Sequence, residues 1–422
     1  MCTHVPGECL AIAQGTREEL KKLLHEWDIP GRVEILPLLP EGQEYRSDLA
    51  LPFANHHFVH VVDVPEGLEI LAVSRLSAAF QDLLSKRRAI VELHMNLPLS
   101  AQPARRPRDE LSALGQHMAE RLRRFVGGLP MRANAWRPIG LLDTGISTSR
   151  LRVRLRRRIT RDYMAAPGMF GSVIAGDHDL QGHGTQVFRI LDESLPDQVP
   201  IVSGRIAAQD ESGITVLRIA TAYAHMVATD DPSVINLSLA PRDDLVICPH
   251  CRRAIPVEAF HSLILPYVFQ LTWKRTLTIM AAGNQGQIAN ARHAFAATDG
   301  LTLVEASNSS GERAAYSNSV DSQFASVARV FGGDGDDAKH PQRMFRGIEG
   351  SFGTSLASPF VSVAAYAWRL KYADDLPLNS VVLPTHDFGR FCHYDLGVPI
   401  DFHSGPPAKG PVPVAAAVPP AV

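Results

Sequence analysis

Four short apolar runs constrain this chain more than any other feature: PIGLLDTGI from Pro138, VPIVSGRI from Val199, SVINLSL from Ser233 and LTIMAAGN from Leu277. Each has the length of a strand and ends in small or polar residues, and helix-like patterns fill the intervals. Apolar strands alternating with helices predict a mainly parallel sheet covered by helices on both faces. Functional side chains then belong at the carboxyl ends of the strands, where the polar residues fall. The chain has 422 residues, more than one such unit needs. Hydrophobic residues at 45% and charged residues at 20% exclude a wholly disordered chain, a collagen-like fibre and a simple coiled coil.

The chain divides by pattern. Residues 1–105 read as a small accessory α/β unit. There Thr16-Arg17-Glu18-Glu19 forms a capping box ahead of Leu20, Leu23, Leu24 and Trp27, VEILPL, HHFVHVV and AIVELHM are strand-like, and LSAAFQDLLSK is helix-like. His56 and His60 have the spacing of metal ligands on a helix, but their segment reads as a strand, which argues against metal. Residues 106–135 read as a linker helix with Leu111, Leu114, Met118, Leu122 and Phe125 on one face and a stop at Gly127-Gly128-Leu129-Pro130. The layered unit spans 136–375. Residues 376–422 form a C-terminal extension with a Pro/Ala-rich tail expected to be disordered.

Four residues at strand ends or helix starts stand out. Asp143 closes Leu141-Leu142-Asp143-Thr144-Gly145, and His183 lies in Gly182-His183-Gly184-Thr185 before the helical QVFRILDESL. Asn284 closes Ala281-Ala282-Gly283-Asn284, and Ser355 lies in Gly353-Thr354-Ser355-Leu356-Ala357-Ser358-Pro359 at the start of a nearly all-apolar helix. Singly, each reads as a turn, a loop, a helix stop or an N-cap. A serine hydroxyl is a poor nucleophile at neutral pH and needs an adjacent base, for which His183 has the suitable ordinary pKa.

In the order Asp, His, Asn, Ser, these blocks resemble the subtilisin-like serine proteases, the subtilases, over roughly Pro138 to Lys371. Val234–Leu239 is similar to the family's substrate-lining strand, and Arg313–Asn318 to its segment between asparagine and serine. The resemblance implies a subtilisin-like three-layer α/β fold and a serine endopeptidase that acts on polypeptides through an acyl-enzyme on Ser355, with no cofactor. It implies that His183 is the general base, oriented by Asp143, and that the Ser355 backbone N–H and the Asn284 amide stabilise the oxyanion. In a subtilisin, loss of such a donor lowers turnover about 10²–10³-fold, roughly 3–4 kcal/mol. It further implies that Ser238, Leu239, Ala240 and Gly283 bind substrate. The alternative is a subtilase fold used as a binding scaffold with little catalysis, against which the presence of all four residues argues.

Departures from the family pattern concern packing and cleft shape. Gln186-Val187-Phe188-Arg189 stands where a second histidine and small residues are common, Leu356 where methionine is usual, and Ala240 where glycine is common. None removes a catalytic group.

Other features lie outside the resemblance. Cys248-Pro249-His250-Cys251 is compatible with a structural zinc knuckle, a redox pair or ordinary thiols; completing ligands would come from His250, His261, Cys392, His393 or the Cys2–His4–Cys9 group. Gly332-Gly333-Asp334-Gly335-Asp336-Asp337 matches one copy of a calcium repeat that binds when stacked, and so reads as an acidic loop. From Arg105 to Arg161 there are 15 arginines, no lysine and 4 acids, in a chain of net charge −2. Arginines alternate with Leu151, Val153 and Leu155 in the Arg150–Arg161 segment, which predicts a strand with an arginine-coated face for solvent, an acidic protein partner or nucleic acid. The lack of interleaved aromatics argues against single-stranded nucleic acid. Five cysteines, no cationic leader and no run of about 18 apolar residues point to a cytoplasmic chain without a secretory signal or membrane span. An unregulated endopeptidase would be hazardous there, so residues 1–105 or a partner are expected to hold it in check.

Overall fold

The computed structural model describes residues 9–65, 67–93, 99–100, 113–129, 136–147, 158–165, 169–174, 178–179, 182–207, 215–241, 264–284, 286, 288–289, 300–320, 326–333, 353–372, 388 and 390–404. Cys248, Cys251, Arg150–Arg157, Asp334–Asp337 and the Pro/Ala-rich tail lie outside them.

The N-terminal sheet contains β1 (Cys9–Gln14), β2 (Arg32–Pro37), β3 (His56–Val62) and β4 (Ala89–Leu93), antiparallel in the order β2-β3-β1-β4. Its helices are α1 (Arg17–His25), α2 (Ser47–Ala50), α3 (Glu69–Ala79) and α4 (Gln81–Ser85). The capping box forms as expected, Glu19 N donating to Thr16 Oγ1 at 3.2 Å and Thr16 N to Glu19 Oε2 at 2.8 Å. LSAAFQDLLSK is two helices rather than one, divided at the buried Phe80.

Strand β1 has no counterpart in the sequence expectations, because alanine is a weak strand former and the run is short. Burial on both faces explains it. Leu10 and Ile12 enter one apolar cluster, while Cys9, Ala11 and Ala13 enter another with Leu20, Leu24, Ala72 and Leu76 of α1 and α3. This is the period-two alternation of a strand between two layers.

The large sheet is built from β6 (Ile139–Asp143), β7 (Arg158–Asp162), β8 (Ser172–Val173), β9 (Ile201–Arg205), β10 (Val234–Leu237), β12 (Leu277–Ala281), β14 (Leu301–Ser307), β16 (Ser326–Phe331) and β17 (Asp401–Ser404). Their order is β17-β16-β14-β12-β10-β6-β9-β7-β8, and only the two outermost strands run antiparallel to their neighbours. Two short pairs stand apart: β5 (Leu99–Ser100) with β11 (Ala240–Pro241), and β13 (Ile288–Ala289) with β15 (Ser319–Val320). Because β9 flanks β6 on one side and β10 on the other, the winding reverses there and opens a crevice at the strands' carboxyl ends.

One face of this sheet carries α5 (Ala113–Gly128), α6 (His183–Ser194) and α9 (Thr354–Tyr372) in a single apolar cluster. The other carries α7 (Val216–Asp230) and α8 (Ile264–Gln270), whose cluster takes in Leu10, Ile12, Phe53 and Phe58 of the N-terminal sheet. The two sheets are therefore joined through shared core. Helix α5 packs on α6 and α9, burying Met118, Ala119, Leu122 and Val126, and runs through Gly127 and Gly128. The stretch read as a linker thus contributes to the main core.

Regular structure continues past residue 375. Phe388, Phe391, Cys392, Val398, Ile400 and Phe402 are buried against α9, and β17 extends the sheet. Aromatic packing holds this segment, with Phe388 and Phe402 edge to face at 4.8 Å and Trp368 and Phe391 at 5.2 Å. Such irregular spacing carries no periodic signal. At the opposite edge, Arg161 is bidentate to Asp230 at 2.6 Å and Arg158 pairs with Asp192, so both arginines are engaged internally. Among the described residues no helix is long and apolar enough to cross a membrane.

Candidate active site

Asp143 is the last residue of β6 and is fully buried. Its Oδ1 accepts from Thr144 N and from His183 Nδ1, each at 2.7 Å. An Nδ1–H donor leaves Nε2 as the basic nitrogen of the neutral ring. His183 opens α6, and Gly184 brings that helix against the Asp143 loop. A Cβ at position 184 would lie 2.3 Å from the Gly145 carbonyl oxygen and 3.1 Å from Asp143 Oδ1. Only glycine permits that approach. Burial pushes the imidazole pKa down, but the Asp143 charge and hydrogen bond, with Asp179, outweigh it and raise the pKa above its ordinary value.

Ser355 is the second residue of α9, and Asn284 follows β12 by three positions. The Asn284 Oδ1 accepts from Thr354 N and Thr354 Oγ1, both at 2.8 Å, and Thr354 Oγ1 accepts from Gly283 N at 3.1 Å. With its oxygen held, the amide directs its nitrogen toward the serine. A Cβ placed on Gly353 would lie 3.1 Å from both Asn284 Nδ2 and Ser355 Oγ. Glycine there keeps open a space bordered by an N–H donor and the hydroxyl, at the N-terminus of a long helix. That is the geometry an oxyanion requires.

The helix start has a further support. Pro359 has no N–H to give to the carbonyl four residues earlier. That Ser355 carbonyl instead accepts from Ser238 Oγ at 3.0 Å, and Ser238 Oγ in turn accepts from Asn236 Nδ2 at 2.8 Å. Asn236 Oδ1 accepts from Ser362 Oγ at 3.0 Å. A buried network thus ties the end of β10 to the first turns of α9. The Ser238 side chain belongs to this internal network, and Leu239 is buried beside it. Gly283 supports the Asn284 turn, its N–H on Thr354 and its carbonyl accepting from Asn318 N at 2.9 Å. Ala240 pairs with Ser100 of the same chain as part of β11 and β5.

The structure brings Asp143 to His183 and Asn284 to Ser355. It does not join the halves by a hydrogen bond, since buried His183 Nε2 has no partner among the described residues. Apo sites commonly close that gap only with substrate bound. The bulky departures on α6 are absorbed away from the site. Phe188 is buried in the cluster containing Met118 and Leu122, and Arg189 pairs with Glu193 at 2.6 Å.

Asp179 has no counterpart among the residues singled out from sequence. It is 2% exposed and lies four positions before His183, accepting from Gly182 N at 2.8 Å and Thr185 N at 2.7 Å. An acidic residue just ahead of a helix start is the signal that marks it. Among the described residues no cluster of three or more His, Cys, Asp or Glu side chains is arranged to hold a metal. Of the proposed zinc completers, Cys9 and Cys392 are buried in separate apolar clusters. His56 is buried in a strand and bonded to Tyr267.

The sequence model of the subtilase family (Peptidase_S8) matches residues 138–378. Among solved structures, the epidermin leader peptide processing serine protease of Staphylococcus aureus is similar at 16% identity, over 89% of this chain and 91% of that one, with a TM-score of 0.46. A cold adapted subtilisin-like serine proteinase is similar at 20% identity over 62% and 86%, with a TM-score of 0.40. A lanthipeptide protease is similar at 18% identity over 72% and 93%, with a TM-score of 0.42. No curated protein matches the chain. The family match runs through more than half the chain and spans Asp143, His183, Asn284 and Ser355 in order, and on that match the chain belongs to the subtilase family of serine endopeptidases.

Proposed function

We propose that the chain hydrolyses peptide bonds through an acyl-enzyme on Ser355, with its N-terminal unit limiting access to the cleft. The observation that carries the first part is the space over Gly353, bordered by Asn284 Nδ2 and Ser355 Oγ. Ser355 Oγ attacks the scissile carbonyl as His183 Nε2 takes its proton. Asp143 holds Nδ1–H and stabilises the imidazolium. The carbonyl oxygen gains charge in the space beside the Asn284 amide. His183 then protonates the leaving amine, water enters, and the same steps in reverse release the acid.

Restraint by the N-terminal unit is supported by β5, which lies antiparallel to β11 directly after Ser238-Leu239, where an extended substrate would pair. The unit is also fastened to the helical layer of the large sheet, around α7 and α8. Gln43 Oε1 accepts from His225 Nε2 at 2.6 Å, Tyr267 OH donates to His56 Nε2 at 3.0 Å, and Arg46 lies 3.9 Å from Asp231. From cysteine usage we infer a reducing, cytoplasmic setting.

Peptide hydrolysis by the full chain tests both parts. Ser355→Ala abolishes hydrolysis if the acyl-enzyme reading holds. Ser100→Pro, which removes a strand N–H, raises kcat/KM if β5 obstructs the cleft; an unchanged value would remove the restraint.

A further inference from the structure

Asp179 holds together the two segments that carry the catalytic Asp143 and His183. Its Oδ1 accepts from Thr144 Oγ1 and Gly182 N, both at 2.8 Å; its Oδ2 accepts from Thr185 N at 2.7 Å and Thr185 Oγ1 at 2.5 Å. Those donors belong to the Asp143 loop on one side and the first turn of α6 on the other. The clamp extends further, since Thr144 Oγ1 accepts from Gly184 N at 2.8 Å and Thr185 Oγ1 accepts from Ser147 N at 2.9 Å. Gly182 and Thr185 bracket His183. The carboxylate is 2% exposed, and among the described residues no lysine or arginine pairs with it.

An uncompensated buried carboxylate is expensive to keep charged unless donors satisfy it and a positive group is near at some stage. Four donors satisfy this one. The positive group forms during the reaction, when His183 takes the serine proton. Resting positive charge near α6 is already committed. Arg205, whose stem passes beside Gly145, is bidentate to Asp162 at 3.0 and 2.8 Å, and Arg189 is paired with Glu193. On α5, packed against α6, Arg123 pairs with Asp197 and Arg124 with Glu120. The described carboxylates acting on the imidazole are Asp143 and Asp179.

We infer that Asp179 is a positioning residue of the hydrolysis reaction, a second carboxylate that fixes the His183 ring against Asp143 and stabilises its protonated form through space. This rests on His183 as the general base. The tests are Asp179→Asn, which removes the charge at nearly constant shape, and Asp179→Ser, a smaller neutral side chain should the asparagine variant fold poorly. Peptide hydrolysis by the full chain is followed across pH beside thermal melts. The acid limb of kcat/KM reports His183 losing its proton to become the base. Loss of a carboxylate lowers the imidazole pKa, so the limb moves to lower pH, while kcat falls on the order of tenfold and KM changes little.

An acid limb that stays in place in a folded neutral variant would overturn the proposal, as would failure of both variants to fold, which would leave Asp179 a structural cap. An inactive wild-type chain would instead count against the hydrolase reading itself.

Discussion

Two helix starts meet at this site, and they are capped in opposite ways. Helix α6, which carries the base, is held by the Asp179 carboxylate through Gly182 and Thr185. Helix α9, which carries the nucleophile, is held by the neutral Asn284 amide through Thr354. Both caps satisfy orphan backbone donors, so either chemistry would serve the fold. The reaction distinguishes them. Positive charge builds on His183, where a carboxylate helps; negative charge builds beside Ser355, where a carboxylate would repel the oxyanion and an amide supplies a donor.

Exchanging the caps gives the largest expected effect. Asn284→Asp keeps the Oδ1 acceptor for Thr354 but replaces the amide donor by a negative oxygen. Turnover should fall at least the roughly 10²–10³-fold associated with losing such a donor, with melting temperature little changed. Equal losses of activity and stability would make Asn284 a structural cap only. Gly353→Ala tests the same space sterically: its methyl would sit 3.1 Å from both Asn284 Nδ2 and Ser355 Oγ, and kcat should drop about 10²-fold. Full activity in that variant would move the oxyanion elsewhere.

Smaller effects sharpen the comparison. Ser238→Ala takes the acceptor from the buried Asn236 amide and leaves the Ser355 carbonyl only the longer bond from Ser358 Oγ at 3.4 Å, which should cost about 1–3 kcal/mol in a denaturant melt. The seam with the N-terminal sheet should respond to acid. Burial holds His56 and His225 neutral, with pKa values lowered from 6.5 to about 4. Stability from neutral rings is intact above pH 6.5 and lost as pH falls toward 4, so the melting temperature should decline through that interval and decline less in His225→Gln. Thr16→Ala is the smallest, about 1 kcal/mol from the α1 cap with hydrolysis unchanged.

Much of this was legible in sequence where one residue type meets one backbone demand. Asp143, His183, Asn284 and Ser355 fall at strand ends and helix starts as their motifs indicate, and the capping box at Thr16 forms as written. Legibility failed where tertiary contact decides. β1 is a strand because layers cover both its faces, and β17 belongs to the sheet because scattered aromatics pack on α9. The bond from the Ser238 hydroxyl to the Ser355 carbonyl, which Pro359 leaves without its helical donor, is invisible in one dimension because its partners lie 117 residues apart. For Asp179 the sequence offers only an acidic residue ahead of a helix start, since its role depends on Thr144, 35 residues away.

The most direct test of the account is covalent labelling with a fluorophosphonate at neutral pH, followed by mass spectrometry of the labelled peptide. The full chain, Ser355→Ala, His183→Ala and Ser100→Pro would be compared. An adduct on Ser355, lost in the first two variants and formed at least as fast in Ser100→Pro, is the predicted result. No adduct even in Ser100→Pro, or an adduct on another residue, would contradict an activated serine at this site.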